Sequence, residues 1–262
     1  ISGEVLMVLF MLFALSRLTF SSDTVTSESG GILHDPEFRI GMALVIGVPS
    51  VLFVRHWLAS FDVAAETTLI DAGRAFWGAL FTVMSFLTTT GFSSNSWGDA
   101  QQWSGLATPG LILMGLCLIG GGVATTAGGV KLLRVFALYR NGRREMERLV
   151  HPSSISNADS MGKRLQKNGA FIAWIFFMLF ALSLAVVTIL LAASGASFEE
   201  AVVMAIASLS TTGPLLEMGG DTPIRIIGLN SFAKSVFVSA MVLGRLETLA
   251  IIALLTPDLW RG

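Results

Sequence analysis

Apolar residues gather in long runs along the chain, with short polar stretches between them. A helix needs about 20 residues to cross a bilayer. By that measure residues 5–20 make a slightly short span, and residues 38–61 a full one interrupted by Pro49, Arg55 and His56. Residues 76–87 and 201–209 are apolar but too short to cross. Residues 106–137 are long enough but broken by glycines, and residues 169–193 are uninterrupted. Residues 226–255 span again, with Lys234, Arg245 and Glu247 embedded. The Ser/Thr/Gly-rich residues 21–36 predict a loop. The hydrophilic residues 140–168 predict a surface helix over 140–149, then a loop from Pro152.

Composition agrees. Of 262 residues, 53% are hydrophobic and 13% charged, and the mean hydropathy is +0.72. An ordinary soluble domain carries about 25% charge, and one core of this size cannot hide so much apolar surface. The chain reads as an integral membrane protein, which excludes a nucleic-acid binder, a disordered protein and most soluble enzymes. A net charge of −1 adds no field toward nucleic acid, and Cys117 alone excludes an intrachain disulfide framework. The chain opens at Ile1 on an apolar run containing Glu4, with no basic leader or cleavage site. That start predicts a segment of a longer protein, not a signal peptide.

Nine of the 17 Lys and Arg residues fall between Lys131 and Lys167, against the acids Glu145, Glu147 and Asp159. The positive-inside rule puts this connector in the cytoplasm; a patch for anionic lipid on the same side is the plainer alternative. Residues 88–108 hold no Lys or Arg and are expected to face outward.

The two short apolar runs end alike. Thr88-Thr89-Thr90-Gly91-Phe92 matches Ser210-Thr211-Thr212-Gly213-Pro214 at a spacing of 122 residues, and that spacing also carries Gly122 onto Gly244. The order is span, short apolar helix, Thr-Thr-Gly, span, and it occurs twice. Membrane transport proteins commonly carry such internal repeats. A helix too short to cross must turn inside the bilayer, where irregular backbone survives only inside protein or beside a water-filled cavity. A Thr-Thr-Gly strand can aim successive carbonyl oxygens at one axis and replace the water shell of a monovalent cation. The short helix would point the negative end of its dipole at the turn. The filter strings hold no acidic residue; Asp99, Glu217 and Asp221 lie beyond them. The alternative is an interfacial turn between two hydrophobic helices.

Residues 120–129 carry five glycines in ten positions, Gly120, Gly121, Gly122, Gly128 and Gly129, with Thr125 and Thr126 between and Lys131 just after. So many glycines unwind a membrane helix. The string is no phosphate-binding loop, because Val130 separates the last glycine from Lys131 and Leu132 follows. It reads as a loop in the ion path and hence a gate; close packing of helices through small residues is the other reading. Arg245 sits mid-span, where charge is costly and must face the bundle interior or a pore. It is either a cation barrier below the filter or a structural group paired with another helix or a backbone carbonyl. His34, His56 and His151 are scattered without metal-ligand spacing, and no nucleophile elbow or zinc motif is present, so no enzyme activity is expected.

These strings resemble the TrkH/KtrB potassium uptake family, its TrkH branch most. The resemblance rests on residues 87–92, on the glycine-rich residues 120–131, on His151 with Pro152, on residues 243–247 and on Thr256 with Pro257. It implies an all-α integral membrane fold of helix–pore helix–helix repeats, potassium-channel-like, with re-entrant filter loops. On that pattern residues 1–20 end a preceding repeat, 21–37 form a cytoplasmic loop and 38–140 a third repeat with the gating loop. Residues 141–167 connect, and 168–262 form a fourth repeat. The resemblance assigns the potassium filter to Thr89, Thr90, Gly91, Phe92, Thr211, Thr212, Gly213 and Pro214. It assigns the gate to Gly120, Gly121, Gly122, Thr125, Thr126, Gly128, Gly129, Lys131 and Arg245. It implies potassium as the ion, no covalent cofactor and a multi-pass place in the inner cell membrane. Its partners would be the upstream half with two further repeats, a second copy, a cytoplasmic nucleotide-binding regulatory subunit and the lipid bilayer. The fourth filter string departs from the family's more glycine-rich tail, and one copy of this chain holds only two of four strands. Two other classes remain as alternatives: a non-conducting membrane scaffold for a cytoplasmic partner, and a secondary transporter for another solute. Few acidic residues lie inside the spans to couple protons in the latter, and the former leaves the recurrence of Thr-Thr-Gly without a cause.

Overall fold

A computed structural model describes residues 2–15, 35–60, 69–104, 108–123, 125–150, 160–220 and 222–246, and among them no strand occurs. Residues 21–34 of the expected first loop, His34, His151, Pro152, Asp221, Glu247, Thr256 and Pro257 lie outside the described residues. The helices are α1 (Ser2–Phe13), α2 (Pro36–Ser60), α3 (Leu69–Leu87), α4 (Trp97–Ser104) and α5 (Gly110–Ile119). They continue with α6 (Leu132–Val150), α7 (Ser160–Ala193), α8 (Phe198–Leu209), the single turn α9 (Leu215–Met218) and α10 (Ser231–Leu246).

Local chemistry sets the helix starts. Asp35 precedes Pro36, and its carboxylate accepts from the N–H of Glu37 at 3.1 Å, so proline stands at the first helical position, where its missing N–H costs nothing. Ser197 and Glu200 form a reciprocal capping box at the start of α8. Asn230 accepts from the N–H of Ala233 at 2.7 Å and donates to the Ser194 carbonyl at 2.9 Å. That cap moves the start of the last helix from the expected 226 to Ser231, and residues 226–228 form a 3-10 turn instead. Inside α2, Pro49 cannot bond the Val45 carbonyl, and Ser50 turns its hydroxyl back to the Ile46 carbonyl at 2.7 Å.

Two of the expected runs have different bounds. The run over 76–87 is the C-terminal part of a 19-residue helix that begins at Leu69, because its first turns, although they carry Asp71 and Arg74, still extend the helix. The run over 106–137 is no single helix: it stops at Ile119 and resumes at Leu132.

Helices α3 and α8 form the core. Phe81, Thr82, Val83, Met84, Ser85, Phe86 and Leu87 are buried on every side of the end of α3, as are Val203, Met204, Ala205, Ala207 and Leu209 in α8. Helix α3 packs against α2, α4 and α5, while α8 packs against α7 and α10, and α5 joins the two groups through α8. Each central helix therefore lies between two flanking ones. Among the described residues, two helices are long and apolar enough to cross a membrane, over Pro36–Val54 and Gly169–Ala193. Phe171, Ile172, Leu182, Val186 and Ile189 stand exposed along α7, a surface that hydrocarbon suits and water does not.

Two glycine substitutions separate tight from open packing. A Cβ on Gly110 would lie 2.6 Å from the Met218 carbonyl oxygen, whereas one on Gly142 meets nothing within 4 Å. Gly110→Ala is expected to lose about 1–3 kcal/mol through overpacking. Gly142→Ala is expected to gain up to about 1 kcal/mol of helix propensity. Thermal unfolding followed by tryptophan fluorescence in detergent checks both signs.

Candidate functional site

The two Thr-Thr-Gly turns share one backbone. Thr89 and Thr211 are both left-handed, at φ 55 and 58, a strained conformation for a β-branched residue. The N–H of Thr90 bonds the Ser85 carbonyl at 2.9 Å, and Thr212 bonds Ala207 at 2.9 Å. Thr89 bonds Phe86 at 3.2 Å, and Thr211 bonds Ser208 at 3.1 Å. The side chains repeat too. The Thr88 hydroxyl reaches the Met84 carbonyl at 2.9 Å and that of Ser210 reaches Ile206 at 2.7 Å. Thr88 also bonds the Thr90 hydroxyl, as Ser210 bonds Thr212. Every one of these pairs keeps the spacing of 122 residues. Gly122 and Gly244, at the same spacing, are not equivalent: one lies in a loop, the other in α10.

The turns touch. A Cβ on Gly91 would lie 2.9 Å from Pro214 Cδ and 3.1 Å from Thr212 Cγ2, and at φ 83 this position favours glycine on conformation as well. Thr88, Thr89 and Thr212 are buried, while Thr90, Phe92, Gly213 and Pro214 are exposed. The tails then diverge. After Gly91 the chain stays irregular through Phe92 and Ser94, and its N–H at Ser94 bonds the Thr82 hydroxyl at 3.3 Å. After Gly213 it folds straight into α9, with the Thr212 and Gly213 carbonyls accepting from Leu215 and Leu216. The unusual string Pro214-Leu215-Leu216 thus makes a helical turn that occupies two carbonyls of the second string.

The glycine-rich segment is an irregular loop between α5 and α6, and it lies against both turns. Gly128 donates its N–H to the Thr89 hydroxyl at 2.9 Å, and its α-carbon sits so close to the Ser210 carbonyl that no Cβ fits. The loop base is closed by Val130 bonding the Leu118 carbonyl at 2.9 Å, Lys131 bonding Ile119 at 2.7 Å and Leu132 bonding Gly121 at 3.1 Å. Gly122 bonds the Ala14 carbonyl beyond α1 at 3.0 Å, and the Thr125 hydroxyl bonds back to Gly122 at 2.6 Å. Arg245, on α10, donates to the Thr126 carbonyl at 3.3 Å. Gly120 and Gly129 are both left-handed, at φ 72 and 81.

Lys131 does not share the exposed basic face of α6. It is buried, left-handed at φ 80, and its ammonium donates to the Val123 and Thr125 carbonyls at 3.2 and 3.0 Å. Its companion at that spot is a residue that sequence reasoning missed. Glu37, fully buried, accepts from the Val123 N–H at 2.7 Å. The expected cytoplasmic loop over 21–37 takes in Glu37, yet this residue stands in the first turn of α2. Its one signal in the sequence is an acid directly before an apolar run. Glu4 plays a parallel part on the other side. Its carboxylate accepts from the Ser94 hydroxyl at 2.7 Å, the Asn95 N–H at 3.4 Å and the Trp77 indole at 2.9 Å, holding the tail of the first turn. Among the described residues no group of three or more His, Cys, Asp or Glu side chains is placed to hold a metal ion.

Comparison with known proteins adds a family. The TrkH family profile, described as a cation transport protein, matches residues 9–259. The Trk system potassium uptake protein TrkH of Salmonella typhimurium is 33% identical over 230 residues, covering 87% of this chain and 44% of its own length. Its counterpart in Vibrio parahaemolyticus is 33% identical over 260 residues, covering 97% of this chain and 50% of its own. The crystal structure of the potassium transporter TrkH from Vibrio parahaemolyticus is similar with a TM-score of 0.75 at 28% identity, over 98% of this chain and 52% of that one. The chain therefore spans about half the length of the curated relatives it matches.

Removing Glu37 tests how the loop is held. Glu37→Ala leaves the Val123 N–H without its acceptor, at a cost of about 1–3 kcal/mol. Amide exchange in the loop is expected to rise roughly 5- to 150-fold, while exchange in the middle of α7 stays unchanged. Hydrogen–deuterium exchange read by mass spectrometry checks this.

Proposed function

Because the chain belongs to the TrkH cation transport family, we propose that it supplies half of a potassium-uptake pore, as two of four helix–pore helix–helix repeats in a multi-pass protein of the inner cell membrane. Helices α3 and α8 act as the pore helices, each presenting the negative end of its dipole to a Thr-Thr-Gly turn. At 12 residues α8 is about 18 Å long, too short to cross about 30 Å of hydrocarbon. Residues Thr89, Thr90, Gly91 and Phe92, with Thr211, Thr212, Gly213 and Pro214, form two filter strands whose carbonyls replace the hydration shell of potassium, and in the second strand this requires the Thr212 and Gly213 carbonyls to leave their bonds to Leu215 and Leu216. The observation that carries this reading is the recurrence, at one spacing and in contact, of a strained threonine and the hydrogen bonds that close its turn.

The loop of residues 120–131 is the gate, pressed against both strands. Arg245 adds a cationic barrier and a bond to the loop. The upstream half contributes the other two strands, two such proteins pair, and a cytoplasmic nucleotide-binding subunit docks on α6. That helix fits a docking role, since Tyr139, Met146, Leu149 and Val150 are exposed beside the Arg143–Glu147 ion pair.

Flux assays test the pore and the gate together. In liposomes holding the complete transporter, Arg245→Ala and a deletion of residues 123–126 are each expected to raise potassium flux about tenfold, the effect of removing about 1.4 kcal/mol of barrier. Folded variants with unchanged or lower flux would sink the gate, and no flux in any variant would favour the scaffold reading. For the docking face, neutralising Arg143, Arg144 and Arg148 is expected to weaken a pull-down of the regulatory subunit. Equal recovery at low and high salt counts against it.

A further inference from the structure

A cavity of about 280 Å³ opens between α6 and α7, away from the two turns and the loop. Its wall is apolar, built from Leu133, Phe136, Ala170 and Ile172. One end is different: Arg140, Asn141 and Arg144 line it together. Arg140 and Arg144 are four residues apart, so they share one face of α6. Arg134 also lines the chamber, its guanidinium lying 3.5 Å from the centre of the Phe176 ring, a cation–π contact that fixes it in place.

The depth of the cavity is set by α7. Gly169, Ala170, Ile172 and Ala173 line it and open the apolar span Gly169–Ala193, and Lys163, Arg164 and Lys167 come just before. Trp174, about half exposed, leans on Phe177 with ring centroids 6.2 Å apart, in the style of an aromatic belt at a membrane–water boundary. The arginine end thus lies at headgroup level and the apolar end lies in the acyl region.

We propose that this cavity is a binding site for one anionic phospholipid of the cytoplasmic leaflet. The phosphate sits between Arg140 and Arg144 with Asn141 beside it, and an acyl chain runs along Leu133, Phe136, Ala170 and Ile172. Planar guanidinium groups suit a phosphate through paired N–H···O bonds. A free phosphate would leave the apolar wall empty, and a zwitterionic phosphatidylcholine headgroup would bring its own cation beside the two arginines. Only a molecule with both parts matches both ends. The inference rests on the chain being embedded in a membrane and is independent of whether it conducts.

Native mass spectrometry of the complete transporter in detergent tests it, with phosphatidylglycerol, phosphatidylcholine of the same acyl chains, and glycerol phosphate as probes. Phosphatidylglycerol is expected to bind about tenfold more tightly than phosphatidylcholine, and glycerol phosphate is expected not to compete. The double variant Arg140→Gln, Arg144→Gln should abolish the preference between the two lipids. Ala170→Trp, which fills the chamber and keeps both charges, should weaken both lipids. Arg143→Gln, beside Glu147 and outside the cavity lining, should leave the lipid preference as it is, whatever it does to docking of the regulatory subunit. Equal binding of the two lipids to the unaltered protein would overturn the proposal without any variant. So would competition by glycerol phosphate, which would mark a site for a free anion. Preference retained in the double arginine variant, or undiminished binding of both lipids to Ala170→Trp, would overturn it as well. Because the readout is lipid retention, a transporter that carries no potassium serves equally well as the sample.

Discussion

The bond from the Gly128 N–H to the Thr89 hydroxyl, with Gly128 also set against the Ser210 carbonyl, ties one loop to both Thr-Thr-Gly turns. It answers a constraint that governs the whole centre of the molecule. Two helices end there and a third breaks there, and each end frees backbone groups that hydrocarbon cannot satisfy. Placing the three irregular segments against one another lets each supply what the others lack. A side chain at position 128 would wedge them apart, so glycine there is a matter of contact and not of dihedral freedom.

The charged side chains of the centre serve the same end. Glu37 and Lys131 bracket Val123, one taking its N–H and the other giving to its carbonyl. Glu4 collects three donors, two of them from Ser94 and Asn95, where the chain leaves the first turn. A buried charge such as Glu37 or Lys131 is costly unless surrounded by hydrogen bonds, and these two and the half-buried Glu4 each bond to irregular backbone or the side chains that pin it. Their positions mark which stretches the fold holds still. The tail of the first turn is held by a carboxylate, and the tail of the second by its own helical turn, α9.

Much of this was legible in the sequence. The repeat was, because Thr-Thr-Gly after an apolar run is a local string and the spacing of 122 residues needs only counting. The loop was, because five glycines in ten residues defeat a helix in any surroundings. The start of α3 was not: hydropathy marks where an apolar run begins, while a helix begins where its backbone is first satisfied, and Asp71, Gly73 and Arg74 interrupt the run without ending the helix. The role of Glu37 was hidden for a different reason. Its partner, Val123, is 86 residues away, and an acid at the edge of a span looks like any solvated residue until the fold brings a loop over it. Lys131 misled in the opposite direction, since its charge counts toward the basic connector while its side chain is turned inward.

The two ends of the loop are not held alike, and this bears on how a gate built from it would move. The Val123 end is fastened by an ammonium and a carboxylate, both buried, with bonds of 2.7 to 3.2 Å. The far end, at Thr126, is fastened to Arg245 by one exposed bond of 3.3 Å. Charge-assisted bonds to buried groups contribute more than an exposed, longer one that water can replace. In the proposed gate the far end is therefore the part that yields first, swinging about an anchor at Val123 and Lys131. Gly128, between Thr126 and Lys131 in the chain, touches both turns, so that motion is the one that would draw the loop away from Thr89 and Ser210. A signal that shifts α10 would reach the turns by this route, because Arg245 is on α10 and Gly244, the residue before it, packs against the backbone of Leu209 at the end of α8.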